Sequence, residues 1–237
     1  TAQMKVGRRL AIKVLNASTF ALSFGEVDGV LDDAVTLPID KAMLAGLAIV
    51  IDKATRGLDA FDYTRALAVT ETYFWTFCDD YPELVKERAY GGQGDEAAAS
   101  ARASLRIALD IVLRLLAPFL PYATEEVWSW WRDGSIHHTS WPTSDELKTV
   151  AAQADPTILG AVGAALAGVR RTKSEAKVGM KAEVLSVALT GPAENLDRIR
   201  LAEGDLVAAG RIASLDYQPG ETFAVRDVVL APVEPKA

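Results

Sequence analysis

One cysteine, Cys78, stands in 237 residues. An intrachain disulfide is therefore excluded, which is compatible with a reducing compartment. The two histidines, His137 and His138, are neighbours. Adjacent residues of an extended chain face opposite ways, and no Cys, Asp or Glu lies beside them at ligand spacing, so no metal site is expected. No apolar run approaches the roughly 18–20 residues needed to cross a bilayer, and no signal-peptide pattern opens the chain. No membrane contact is expected. Glycines 91, 92 and 94 follow no strand and match no phosphate-binding loop. Asp79-Asp80 and Glu125-Glu126 are adjacent pairs rather than facing carboxylates, so acid–base chemistry has no obvious seat. Cys78 lacks a recognisable base, and a lone cysteine among aromatics is more often core. No catalytic residue is assigned.

The other absence is of one sign of charge. No Asp or Glu precedes Glu26, whereas Lys5, Arg8, Arg9 and Lys13 fall in the first 13 residues. The whole chain carries a formal net charge of -7, which argues against broad non-specific nucleic-acid binding but leaves room for a local basic face. With half the residues apolar and about a quarter charged, this is an ordinary globular composition. At this length a core needs no disulfide or metal staple.

Three segments follow along the chain. Residues 1–132 read as an antiparallel helical bundle, 133–181 as a connecting segment with one helix, and 182–237 as a small α/β unit. The fold class is α+β, mainly α. The spacing predicts helices over about 3–24, 38–56, 64–89 and 95–116, a short aromatic helix beginning near Thr124, and a helix over 156–176. Pro38 suits a first turn, Gly57 a helix stop, and Asp62 or Thr64 a cap. Beyond these, strands are expected over 182–190, 212–217 and 222–230, with helical segments over 193–201 and 205–209.

In the first helix Lys5, Arg9, Lys13 and Asn16 share one face, beside an apolar stripe of Val6, Leu10, Val14 and Ala17. The cations suit phosphates, but a solvated helix face has the same composition, and charge alone does not separate the two. A second basic run, Arg170, Arg171, Lys173, Lys177 and Lys181, lies at a helix end, where cations also favour the macrodipole.

Motifs carry the reading further. Gly7-Arg8-Arg9-Leu10-Ala11-Ile12-Lys13-Val14-Leu15-Asn16-Ala17 resembles the opening of the anticodon-binding domain of valyl-tRNA synthetases. Trp75-Thr76-Phe77-Cys78-Asp79-Asp80-Tyr81-Pro82-Glu83-Leu84-Val85-Lys86 is similar to a later segment of that family. So is Leu115 to Trp128, which contains Pro118, Pro121 and Thr124-Glu125-Glu126. Ser135-Ile136 and Trp141-Pro142 follow in the same order. The resemblance spans about residues 1–230. The nearest alternatives are the equivalent domain of an isoleucyl- or leucyl-tRNA synthetase, a helical protein-interaction module, and a stand-alone enzyme using Cys78.

The resemblance implies a cytoplasmic, monomeric ligase that joins valine to its tRNA with ATP and magnesium. The family's His-Ile-Gly-His and Lys-Met-Ser-Lys-Ser motifs are absent here. The expectation is a C-terminal piece that begins at Thr1, needs no cofactor, catalyses nothing alone and binds the anticodon stem-loop of valine tRNA. Many family members continue into a coiled coil; this chain ends at Pro235-Lys236-Ala237 without heptads. The expected contacts are Lys5, Arg8, Arg9 and Lys13 for phosphates, Asn16 for a base edge and Phe20 for stacking, although a core phenylalanine is an equal reading of Phe20. Arg170, Arg171 and Lys173 form a second set.

Overall fold

The computed structural model describes residues 2–25 and 31–232. Thr1, Glu26 and the Pro235-Lys236-Ala237 end lie outside the described residues, as does the Val6 side chain. The helices are α1 (Ala2–Leu22), α2 (Leu31–Ala34), α3 (Pro38–Asp59), α4 (Tyr63–Asp79), α5 (Tyr81–Ala89), α6 (Asp95–Leu116), α7 (Pro121–Ser129), α8 (Ile158–Glu175), α9 (Ala193–Arg200) and α10 (Glu203–Gly210). The strands are β1 (Val184–Gly191), β2 (Leu215–Pro219) and β3 (Ala224–Leu230). The chain is mainly α with one small sheet, as the sequence pattern predicts. No described helix is long and apolar enough to cross a membrane.

α3 and α6 form the centre. Ile39, Met43, Leu47 and Val50 of α3 recur at helical spacing and are buried, as are Leu105, Leu109, Val112 and Leu116 of α6. Asp62 caps α4, its Oδ1 accepting from the Arg65 N–H at 3.0 Å. Gly57 does not stop α3, which runs on to Asp59. Its missing side chain instead admits α4: a Cβ there would lie 3.1 Å from the Ala66 nitrogen.

The expected single helix over 64–89 is two. α4 ends at Asp79 and α5 starts at Tyr81, with Asp80 between them at φ -105°, ψ -56°. Pro82 explains the break, because it has no N–H to donate back to the Cys78 carbonyl and its ring crowds that carbonyl, whereas at the start of α5 neither costs a bond. α8 lies close to this joint. A Cβ on Gly163 would come within 3.2 Å of the Asp80 carboxyl.

The sheet order is β2-β1-β3. β1 pairs parallel with β2, Val187 opposite Leu215, and antiparallel with β3, Val184 opposite Leu230. The parallel pair needs a crossover, which α9 and α10 supply. The buried core runs continuously from Leu10 to Ile212, across both expected boundaries near 132 and 182.

One polar cluster sits inside that core. Arg88 of α5 is fully buried and uses all five N–H donors. Nε donates to Asp205 Oδ1 at 2.8 Å and Nη2 to Asp205 Oδ2 at 3.2 Å. Nη1 and Nη2 each reach one Asp40 oxygen at 2.8 Å, and Nη1 also reaches the Ala97 carbonyl at 3.1 Å. Asp40 accepts further from Tyr81 Oη at 2.7 Å and Ser100 Oγ at 2.5 Å. Burial opposes the charge on Arg88, but the bonds and charge of Asp40, with Asp205 adding, hold its pKa above the ordinary value.

Arg88→Met strands two buried carboxylates and is expected to cost about 3–5 kcal/mol in urea unfolding. Exposed Lys148→Met should stay within about 0.5 kcal/mol, and equal effects would show that the cluster does not hold the fold. A pH effect follows from Asp155, whose Oδ1 accepts from Thr157 and whose Oδ2 accepts from Arg198 of α9 at 2.6 Å. These bonds lower its pKa from 3.8 to about 2. A lowered carboxylate stabilises above its unfolded value and loses that contribution as pH falls. The difference in melting point between the native chain and Asp155→Asn should therefore shrink as pH drops from about 4 towards 2.

Candidate nucleic-acid interface

α1 turns one stripe inward and another out. Leu10, Val14, Ser18 and Ala21 are buried, while Lys5, Arg8, Arg9 and Asn16 are exposed. Lys13 and Phe20 lie half-buried between these faces. Lys5 and Arg8 make no side-chain hydrogen bond or ion pair with the described residues. Arg9 lies over the Trp75 ring of α4, 4.9 Å from its centroid, with the Lys13 ammonium at 5.8 Å. Lys13 also pairs with Asp79 at 2.7 Å.

Beside this face a cleft of about 230 Å³ opens where α1 meets the α4–α5 joint. α1 contributes Lys13, Asn16, Ala17 and Phe20, α4 contributes Cys78, and α5 contributes Pro82, Glu83 and Lys86. The break at Pro82 starts α5 as a separate wall of this cleft. Phe20 meets Phe24 edge-on at 5.2 Å. Two ammonium groups, an amide, a carboxylate and an aromatic ring converge on one small concavity. Such a set donates to and accepts from a base edge and offers a face for stacking.

Two of the carboxylates here have cationic partners. Glu83 accepts from Arg170 Nη2 at 2.8 Å, and Asp79 holds Lys13. Burial raises the pKa of Asp80, with Asp79 adding and Arg170 opposing. Burial pushes the Cys78 thiol up to about 12; Lys13 works against the shift and Asp79 adds to it.

The first predicted set thus falls along one helix, with Lys13, Asn16 and Phe20 brought to the cleft. The second set does not stay together, because residues 170, 171 and 173 of a helix point in different directions. Arg170 turns to Glu83, and Arg171 is exposed. Lys173 is corrected: it is 1% exposed, and its ammonium donates to the carbonyls of Gly210 at 2.8 Å and Met180 at 3.2 Å. An amine enclosed in this way does not reach a phosphate. Lys86, Glu83 and Trp75 were not among the expected contacts. All three lie within a segment whose motif is visible in sequence; the place of Glu83 and Lys86 at the cleft depends on the α4–α5 break, whereas Trp75 lies beneath Arg9. His137 turns to the Pro121 carbonyl at 3.2 Å. Among the described residues no group of three or more His, Cys, Asp or Glu is placed to hold a metal ion.

Residues 40–189, more than half of the chain, match the family model described as the anticodon-binding domain of tRNA ligase. This chain belongs to the anticodon-binding domains of tRNA ligases. Similar curated proteins include the valine–tRNA ligase of Thermobifida fusca, 52% identical over 98% of this chain and 26% of its own length. That of Cutibacterium acnes is 51% identical over 100% of the chain and 27% of its own, and that of Salinispora tropica 47% identical over 97% and 29%. The chain spans about a quarter of these relatives. In this anticodon-binding domain α1, which carries the exposed cations, lies outside the matched span, whereas the α4–α5 wall of the cleft lies within it.

The raised thiol makes the domain's one cysteine a poor nucleophile. At pH 8 a pKa near 12 leaves about one thiolate in ten thousand. Iodoacetamide should leave Cys78 unmodified in the folded domain and label it in urea. Rapid labelling of the folded domain would contradict the burial argument.

Proposed function

We propose that this chain recognises the anticodon arm of valine tRNA, as the C-terminal anticodon-binding part of a cytoplasmic, monomeric valine–tRNA ligase. The observation that carries this reading is the junction of an exposed one-sign helix face with a polar, aromatic-walled cleft. Lys5, Arg8 and Arg9 lie where phosphates would be positioned. Asn16, Lys13, Lys86 and Phe20 lie where a splayed base would be read, in the usual division between backbone and base contacts. Joining valine to tRNA, with ATP and magnesium, falls to the portion of the longer protein that this chain does not span, and no step of that chemistry is assigned to residues here. The identity to proteins named valine–tRNA ligases supports valine over isoleucine or leucine.

Filter binding of valine tRNA tests the proposal. Affinity should fall steeply between about 50 and 200 mM salt, whereas an apolar protein-docking surface would change little. Arg9→Glu and Lys13→Glu should weaken binding far more than Lys148→Glu. Lys13→Gln serves as a control, because glutamate would also confront Asp79. Asn16→Ala should reduce discrimination against tRNAs with altered anticodons by about tenfold, the scale of one good base-edge pairing. Equal losses at Arg9 and Lys148 would remove α1 from the interface.

A further inference from the structure

α8 and α10 end in the same way, and one buried side chain joins the two ends. Past α8, Lys177 adopts a left-handed backbone with φ 54°; past α10, Arg211 does so with φ 53°. The Lys177 N–H donates to Ser174 and the Val178 N–H to Lys173, both at 3.0 Å. The Arg211 N–H donates to Ala208 at 3.2 Å and the Ile212 N–H to Val207 at 3.0 Å. This paired helix stop ordinarily takes glycine at the left-handed position, because a Cβ strains it. Phe61 closes α3 with the same pattern, at φ 58°. The other two ends differ in carrying a cation each and in being fastened together.

The fastening is Lys173. Its ammonium binds the Gly210 carbonyl at the end of α10 and the Met180 carbonyl in the loop beyond α8. The C-terminus of α10, the negative end of a macrodipole, and the loop beyond α8 meet around this cation. Val184 N–H adds a bond to the Arg211 carbonyl at 2.8 Å. Burial lowers the pKa of Lys173, and the charges of Arg211 and Arg170 add to the effect, so these cations lie close enough to interact. On the outside, Arg171, Lys177, Lys181 and Arg211 are exposed. None makes a side-chain hydrogen bond or ion pair with the described residues. Glu87, Glu175 and Glu183 lie nearby, so the surplus of positive charge is small and depends on where the cations are held.

We propose that Lys177 and Arg211, with Arg171 and Lys181, form a second contact for the RNA sugar-phosphate backbone, and that Lys173 is its positioning residue. The cations act as point charges on phosphates and read no base. The inference rests on the reading that the chain binds tRNA, but it uses α8 and α10 rather than α1.

The test is filter binding of valine tRNA and of one non-valine tRNA over 50–200 mM salt, with Lys177→Gly, Arg211→Gly and the double variant. Glycine removes the cation and relieves the backbone, so the melting point should hold or rise. Both RNAs should weaken by the same factor, and the slope of log affinity against log salt should fall by about 0.7–0.9 per cation lost. Unchanged affinity for both RNAs would overturn the proposal, whatever the melting point does. Weakening of valine tRNA alone would overturn the phosphate assignment. Arg9→Glu in parallel separates the failures: if it weakens binding while the glycine variants do not, only this inference falls; if none does, the RNA reading falls with it. Lys173→Met should weaken binding in the native background and add nothing in the double-glycine background. An equal loss in both would show that Lys173 does not act through Lys177 and Arg211.

Discussion

A guanidinium closed off from water ties together stretches of chain more than a hundred residues apart. Arg88 joins α5 to α3 through Asp40 and to α10 through Asp205, and its bond to Ala97 reaches the start of α6. Burying such charges carries a large desolvation penalty, and an apolar cluster of similar volume often stabilises as well or better. What the polar cluster adds is direction. Five donors in a rigid fork meet two carboxylates and a carbonyl, and Tyr81 and Ser100 complete Asp40. Small rotations of α5 would break several of these bonds at once.

α5 also carries Pro82, Glu83 and Lys86, one wall of the cleft. Its orientation is therefore shared between the interior and the surface. α3 and α10 hold it from inside, and α8 holds it from outside through Arg170 and Glu83. The helix break at Asp80 frees α5 from the axis of α4, and the buried cluster then sets where it points. The wall is oriented both by Arg88 and Asp40, which never touch solvent, and by the partly exposed Arg170–Glu83 pair. The sheet unit participates as well, since Asp205 lies in the crossover between β1 and β2.

The helices, their apolar stripes and the presence of three strands were legible because periodicity is local: Ile39, Met43, Leu47 and the Leu105–Leu116 stripe declare themselves at fixed spacing. The α4–α5 break was legible in principle from Pro82, but the surrounding helical pattern masked it. The Arg88 cluster was not legible, because nothing in the sequence tells a buried Arg from an exposed one until Asp40 and Asp205 arrive from distant positions. Lys173 failed for the same reason. It reads as one of a run of cations, yet helical geometry turns it inward while Arg171 stays outside. The α1 cations stay at or near the surface because a one-sign face on an amphipathic helix leaves its charges few places to go but solvent.

Charge pairing around the cleft sharpens the division that the proposed function needs. The carboxylates beside the cleft engage cations, Asp79 with Lys13 and Glu83 with Arg170, so its interior is closer to neutral than the number of ionised groups implies. Lys5 and Arg8, without such partners among the described residues, leave positive potential along the outer face of α1. A neutral base and a charged phosphate are then favoured in different places. On the proposed function an acidic chain would accommodate an anionic ligand in this way, because attraction depends on the potential where the ligand lies rather than on the net charge of -7. The remaining excess of negative charge would discourage an anion from the acidic parts of the surface, and on the proposed function that exclusion limits the orientations open to the RNA.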